Sequence, residues 1–267
     1  MKLKIGVVGV GVVGMAIKQG FEYIGHDVFI YDIKIPETKI NDVIDTDIVY
    51  VTVSTLVGQN DECDLTAVYS VVNQLNDLNY KGLVALKSTV EPGTTDRLTK
   101  EYKNLRFCFV PEFLKERCAF NDFVFNNNIL VVGVNNIDDY NLVVESHGSL
   151  PVHKVMMTPV ESELMKYFSN TYKATKITFA NSFHKVCQHF DANYSVIKDA
   201  FLFHGIGESH YLNVNEEFGG YAGVCLPKDT KAMKALCKKH NIDVGIFKFV
   251  DEENEKFIKK VPKGMRK

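Results

Sequence analysis

Lys4-Ile5-Gly6-Val7-Val8-Gly9-Val10-Gly11-Val12-Val13-Gly14 is a short β-branched run that passes directly into G-x-G-x-x-G. Lys4–Val8 reads as a strand, and Met15–Ile24 beyond the glycines has helical spacing. The glycines therefore stand between a strand and a helix, the context a dinucleotide-binding turn requires. Gly9 permits the tight turn, Gly11 lets the backbone approach a pyrophosphate, and Gly14 lets helix and strand pack closely. The helix N-terminus adds free N–H groups and partial positive charge. Gly9, Gly11, Val12, Val13 and Gly14 are accordingly the phosphate-binding candidates. Asp32 lies 18 residues past Gly14, at the end of a second strand candidate. An acid there hydrogen-bonds a ribose 2′-OH and repels a 2′-phosphate, which favours NAD over NADP. Lys34 weakens that preference slightly. The competing reading, a glycine-rich turn on a non-binding α/β fold, lacks support from this strand–turn–helix context.

Working outward, β-branched runs recur at Asp27–Tyr31, Ile48–Val53, Leu83–Leu86, Phe107–Val110 and Ile129–Val132. Helical spacing fills several of the gaps, at Leu65–Leu75 and Asp138–Glu145. Val/Ile-rich strands without in–out alternation are buried on both faces. Their alternation with helices predicts a Rossmann-type, doubly wound, mostly parallel sheet over residues 1–155. The strand signal stops at residue 155. Thr158 then offers an N-cap, Pro159 a first helical residue and Glu161 the return half of a capping box. A long central helix runs on to about Phe190, followed by helices at Tyr194–Phe203, Pro227–His240 and Gly245–Lys260 and a frayed basic tail at Lys259–Lys267. Residues 156–267 form an all-helical second domain.

Composition narrows the function. The chain has 267 residues, 46% apolar and 24% charged, so it builds a core without staples. Thirty-one basic residues against 33 acidic ones exclude a general nucleic-acid or membrane-surface binder. No apolar run reaches a membrane span, and no signal peptide stands before the glycine turn, so a cytoplasmic protein is expected. The six cysteines show no C-x-x-C framework and read as reduced thiols. The eight histidines lack ligand spacing, and no metal is expected.

Four further segments carry chemistry. Lys87-Ser88-Thr89-Val90-Glu91-Pro92-Gly93-Thr94-Thr95 follows the fourth strand and Pro111-Glu112-Phe113-Leu114-Lys115-Glu116 the fifth. Open α/β sheets bind ligands at these carboxyl ends. Glu163-Leu164-Met165-Lys166-Tyr167-Phe168-Ser169-Asn170 lies on the long helix, and Gly223-Val224-Cys225-Leu226-Pro227-Lys228-Asp229-Thr230 opens a later one. Glu112 and Glu116, like Lys166 and Asn170, are four apart and are expected to share a helical face. Cys225 precedes Pro227, the expected first helical residue. The helix dipole and Lys228 favour its thiolate. Asp229 could orient a water or a substrate hydroxyl. The bland readings are a buried thiol for Cys225, a solvated helix lysine for Lys166 and a surface carboxylate for Glu116.

Together these segments, with Val53-Ser54-Thr55, strongly resemble the UDP-glucose/GDP-mannose dehydrogenase family across nearly the whole chain. The resemblance implies a Rossmann domain, a long central helix that forms a homodimer, and NAD-dependent oxidation of a nucleotide-sugar C6 alcohol to a carboxylate, with UDP-glucose the first candidate substrate. It implies Cys225 as nucleophile, Lys166 and Asn170 as stabilisers of oxyanion character at C6, Asp229 and Thr89 as holders of the catalytic water, Glu116 in thioester hydrolysis, and Glu112 as support for Lys166. Thr55, Thr89 and Glu116 join the cofactor set. Phe113, Leu114, Lys166, Asn170, Tyr211 and Gly220 would contact the sugar nucleotide.

The chain departs from the family in places. Arg117 replaces a Gly, Gly205 an Arg, Ala222 a Gly, and Ser182 a Glu. The chain stops at Lys267, where family members continue into a third, nucleotide-gripping domain, so that domain is expected to be absent. Two other readings stand beside the enzyme: a non-catalytic NAD-binding module that partners a full-length relative, and a two-domain β-hydroxyacid dehydrogenase that has no need of Cys225.

Overall fold

Seven strands form one sheet: β1 (Lys4–Val8), β2 (Asp27–Tyr31), β3 (Ile48–Val51), β4 (Leu83–Leu86), β5 (Arg106–Phe109), β6 (Ile129–Gly133) and β7 (His153–Met157). Their order is β2-β1-β3-β4-β5-β6-β7. A computed structural model describes residues 2–205, 211–214, 219–223 and 225–257. The first five strands are parallel, β5 and β6 touch antiparallel at Phe109 and Gly133, and β6 and β7 are parallel again. The sheet thus reverses its winding between β1 and β3. A crevice at the carboxyl end of that reversal is where doubly wound folds bind ligands. Strands β3 and β4 are buried at every residue, as runs without alternation require. Ile5, Val7, Tyr50 and Ala85 point into one apolar layer, while Val8, Val49, Val51 and Leu86 point into the other.

The helices among the described residues are α1 (Val12–Tyr23), α2 (Thr66–Asp77), α3 (Thr94–Glu101), α4 (Ala119–Val124), α5 (Ile137–His147), α6 (Pro159–His189), α7 (Tyr194–Phe203), α8 (Cys225–Lys239) and α9 (Ile246–Asn254). The capping box of α6 forms: the Glu161 carboxylate accepts from Thr158 N and Oγ1 at 2.8 and 2.7 Å, and Glu161 N donates back to Thr158 Oγ1. At 31 residues α6 is about 46 Å long. The fold separates into two compact units, Met1–Leu56 with Cys63–Lys166, and Val57–Glu62 with Tyr167–Lys267. The second unit has small cores, one around Tyr167, Met233 and Cys237, the other around Ala174, Tyr221 and Val250.

Several expectations are corrected. The strand signal does not stop at residue 155: β7 runs to Met157, held by parallel pairing to β6. Glu112 and Glu116 do not share a helix, because residues 111–115 are irregular and Glu116 opens a 3-10 turn. The cause is local. The Glu112 carboxylate accepts from Phe113 N and Leu114 N at 2.8 and 3.2 Å, offering the backbone partners that compete with a helix. Cys225 does not precede α8 but begins it, which moves Pro227 from first to third position. Proline is tolerated there because first-turn N–H groups have no helical partner. The last helix ends at Asn254 rather than Lys260. The Lys259–Lys267 tail and residues 206–210 of the glycine-rich loop lie outside the described residues.

Candidate functional site

In the first unit the glycine turn closes β1 against β3. Gly9 has φ +90°, and a Cβ there would meet Val53 N at 2.8 Å. A Cβ on Gly14 would meet Gly9 O at 2.0 Å, so α1 and the turn pack too closely for any side chain. Thr52 Oγ1 donates to Gly9 O and Gly9 N to Tyr31 O, which fixes the turn from both neighbouring strands. Gly11 is the N-cap of α1, no side chain caps it, and no acid lies in the first turn. The N–H groups at Val12 and Val13 therefore stand ready for an anion. Asp32 accepts from Val10 N at 2.6 Å and Lys34 N at 2.8 Å. It thus ties the glycine turn to the end of β2 and keeps acceptor capacity for a ribose hydroxyl. The tight turn, the uncapped helix and the aligned acid together fit NAD.

Next to this turn, in the same unit, β4 and β5 end in two loops. Ser88 Oγ donates to Val53 O at 2.6 Å, and Thr89 is buried with its carbonyl accepting from Cys63 Sγ at 3.4 Å. Thr55 is buried too. Lys87 pairs with Glu112 at 2.8 Å, with side chains 2% and 13% exposed. The Glu112 carboxylate is therefore fully engaged by Lys87 and two backbone donors. What Lys166 meets is the Glu112 carbonyl, to which its Nζ donates, with the Phe113 ring 5.7 Å away. The expected contact between Lys166 and the Glu112 side chain is not found; Lys166 meets the main chain of Glu112 instead. Phe113, Leu114 and Glu116 are half-buried. The sequence alone assigns Lys87 no role. The available signal was a lysine directly after a fully apolar strand, a site where a lysine needs a carboxylate partner.

In the second unit Asn170 Nδ2 donates to Asp229 Oδ2 at 2.5 Å. Asp229 is 1% exposed. Lys228 Nζ lies 3.2 Å from its Oδ1, out of hydrogen-bond alignment, so Oδ1 has no hydrogen-bond donor among the described residues. Cys225, one helical turn earlier on α8, is exposed. The i, i+4 spacing puts thiol and carboxylate on one side of the helix. The thiol is accessible, and the carboxylate one turn further along α8 is buried, with the Lys228 ammonium as ion-pair partner of its Oδ1. Tyr211, with φ +68°, has Lys173 and Lys176 each 5.9 Å from its ring. A Cβ on Gly220 would meet Asn254 Oδ1 at 1.9 Å. The Asn254 amide clamps Tyr221, accepting from its N at 2.8 Å and donating to its O at 3.0 Å. That clamp is absent from the sequence reading and holds the segment four residues before Cys225 against α9. Among the described residues no His/Cys/Asp/Glu group could hold a metal, and no helix is long and apolar enough to cross a membrane.

Comparison with known proteins places these features in a family. Two models of one family match: UDP-glucose/GDP-mannose dehydrogenase family, NAD binding domain, over residues 36–149, and central domain over residues 160–256. The UDP-glucose 6-dehydrogenase of Rickettsia prowazekii is 35% identical over 247 residues, 88% of this chain and 55% of that protein. The UDP-glucose 6-dehydrogenase TuaD of Bacillus subtilis is 31% identical, over 79% of this chain and 47% of its own. A solved UDP-glucose dehydrogenase from the hyperthermophilic archaeon Pyrobaculum islandicum superposes with a TM-score of 0.86 at 26% identity, covering 96% of this chain and 68% of that one. The chain spans about half the length of these two curated relatives.

Proposed function

The chain belongs to the UDP-glucose/GDP-mannose dehydrogenase family, and from that premise we propose that it oxidises the C6 alcohol of a nucleotide sugar to the carboxylate, with UDP-glucose the first candidate. The observation that carries the reading is the exposed Cys225 thiol one turn before the buried Asp229–Asn170 pair. NAD, when bound, accepts the hydride of each of the two oxidations. Gly9, Gly11, Val12, Val13, Gly14, Asp32, Thr55, Thr89 and Glu116 hold it. Cys225 Sγ adds to the C6 aldehyde and gives a thiohemiacetal, which loses the second hydride to become a thioester. Water then cleaves the C–S bond, releasing the carboxylate and the thiol. The covalent route divides one hard oxidation into easier steps. Lys166 and Asn170 stabilise negative charge on the C6 oxygen. Asp229 and Thr89 orient the water, and Glu116 aids its attack. Glu112 acts on Lys166 through its carbonyl. Phe113, Leu114, Tyr211 and Gly220 line the sugar nucleotide.

Purified protein given NAD and UDP-glucose is expected to produce two NADH per sugar, read at 340 nm. Tight NAD binding with no NADH from any nucleotide sugar would overturn the enzyme in favour of an NAD-binding partner subunit.

A homodimer through α6 is part of the same proposal. Phe168 and Tyr172 stack at 6.3 Å and Phe179 and Phe183 at 6.0 Å, and all four rings are exposed, as is Phe190. An apolar face of this kind marks a docking surface. Sedimentation equilibrium is expected to give twice the chain mass, and Phe168→Glu to shift it toward the monomer. A wild-type monomer at micromolar concentration would refute the arrangement.

A further inference from the structure

Glu163 has no part in the chemistry above, yet it is a fully buried carboxylate in the first unit, 0% exposed. Its Oε2 accepts from Gly93 N at 2.5 Å, and its Oε1 from Thr95 N and Thr95 Oγ1 at 2.8 and 2.6 Å. These donors belong to the start of α3, whose N-cap Gly93 has no side chain to satisfy them. A helix start buried without such a partner leaves orphan N–H groups, and a carboxylate there also meets the positive end of the dipole. The cap thus comes from another element, α6, three residues before Lys166. The loop it holds is the one carrying Thr89. Two hydrogen-bonded anchors bracket that loop, and between them Val90 is buried in the apolar core. Ser88 fixes its near end, through Ser88 N to Val51 O at 3.1 Å and Oγ to Val53 O at 2.6 Å. Glu163 fixes its far end at Gly93 and Thr95. Between them the Thr89 carbonyl accepts the weak contact of Cys63 Sγ at 3.4 Å.

We infer that Glu163 is a positioning residue: it clamps the Thr89 loop to the helix that presents Lys166, and so sets the spacing of two groups that act on the same C6 centre. The inference rests on the function proposed above. A displacement of about 1 Å between such groups costs on the order of 100-fold in rate. Lys87 and Glu112 do the matching task from the other side, holding the 112–114 turn whose carbonyl receives Lys166.

The test compares Glu163→Gln with Asp139→Asn. Asp139 is another buried carboxylate of the first unit, which takes Arg106 and caps α5 with Asn136, and it touches neither loop. Hydrogen exchange of the purified chain without ligands is read over residues 88–95. Exchange there is expected to accelerate about tenfold or more in Glu163→Gln and to stay unchanged in Asp139→Asn. With NAD and UDP-glucose, kcat is expected to fall roughly 10- to 100-fold in Glu163→Gln, and NAD affinity to fall less than kcat, because Thr89 is one of nine residues proposed to hold the cofactor. Should Glu163→Gln fail to fold, Thr95→Val, which removes one donor at constant shape, is expected to give a smaller change of the same sign. Unchanged exchange over 88–95, or unchanged kcat in a folded Glu163→Gln, overturns the inference. A wild-type chain that makes no NADH overturns the proposed function instead, and the exchange result then decides the role of Glu163 alone.

Discussion

Cys225→Ala is expected to lower steady-state NADH formation from a nucleotide sugar by about 10³-fold or more, while NAD binding stays within about twofold of wild type. The asymmetry follows from where the groups lie. The thiol begins α8 in the second unit, whereas the glycine turn, Asp32 and the β3 end belong to the first. Removing one sulfur leaves the glycine turn and Asp32 in place and takes away the atom proposed to carry the intermediate. The effect exceeds that of any single stabilising donor, because without the thioester the second oxidation loses its route. Binding is read by fluorescence or calorimetric titration with NAD, and turnover at 340 nm. Detectable steady-state turnover with two NADH per sugar would rule out the cysteine mechanism. Full activity of the variant on a β-hydroxyacid would point to the two-domain hydroxyacid dehydrogenase reading.

Stability is expected to fall steeply with acid because of one histidine. His147, 1% exposed, sits among the rings of Phe21, Tyr50 and Phe123 at 5.2, 5.8 and 5.6 Å. Its Nδ1 pairs with Val143 O at 2.9 Å, and its Nε2 has no hydrogen-bond partner among the described residues. Burial, and then the charge of Lys87, push its pKa from the ordinary 6.5 down to about 3. The folded-state value lies below the unfolded one, so between these values the unfolded chain binds a proton that the native state refuses. The contribution of the neutral ring is complete above about pH 6.5 and is lost progressively as pH falls toward about 3. At about 1.4 kcal/mol per pH unit, the total is on the order of 4–5 kcal/mol, a large share of a domain's usual margin. Urea unfolding from about pH 7.5 to about pH 4 is expected to show this slope in wild type. His147→Phe is expected to flatten it by up to one proton's worth, despite some loss at neutral pH. Parallel profiles for the two proteins would show that His147 is not the source.

Local patterns were legible where local physics decides. The strands at Lys4–Val8, Asp27–Tyr31 and Leu83–Leu86 are found where their β-branched runs stand, because such runs pack well in a buried sheet. The start of α6 follows from Thr158, Pro159 and Glu161 because a capping box needs no tertiary partner. His153–Met157 was missed because HKVMM has little β-branching and is a strand only by pairing with β6. The helix α3 was missed for a related reason: its polar TTDRLTKE sequence has little apolar periodicity, and Glu163, 68 residues along from Thr95, caps it.

The candidate site divides in the same way. Residue types and order alone determined the glycine turn, the acid at Asp32, the four-residue spacing of Cys225 and Asp229 and the family to which the chain belongs. These depend on spacings of a few residues or on the order of motifs, both written directly in the chain. Only the tertiary structure decided that the Glu112 carboxylate faces Lys87 rather than Lys166. It alone decided that Asn254 clamps Tyr221 and that Glu163 secures the Thr89 loop. Each of these is a buried or half-buried polar group whose partner lies 25 to 70 residues away. A buried carboxylate or amide must find donors or acceptors. Which ones it finds depends on the packing of the whole chain, which no local pattern encodes.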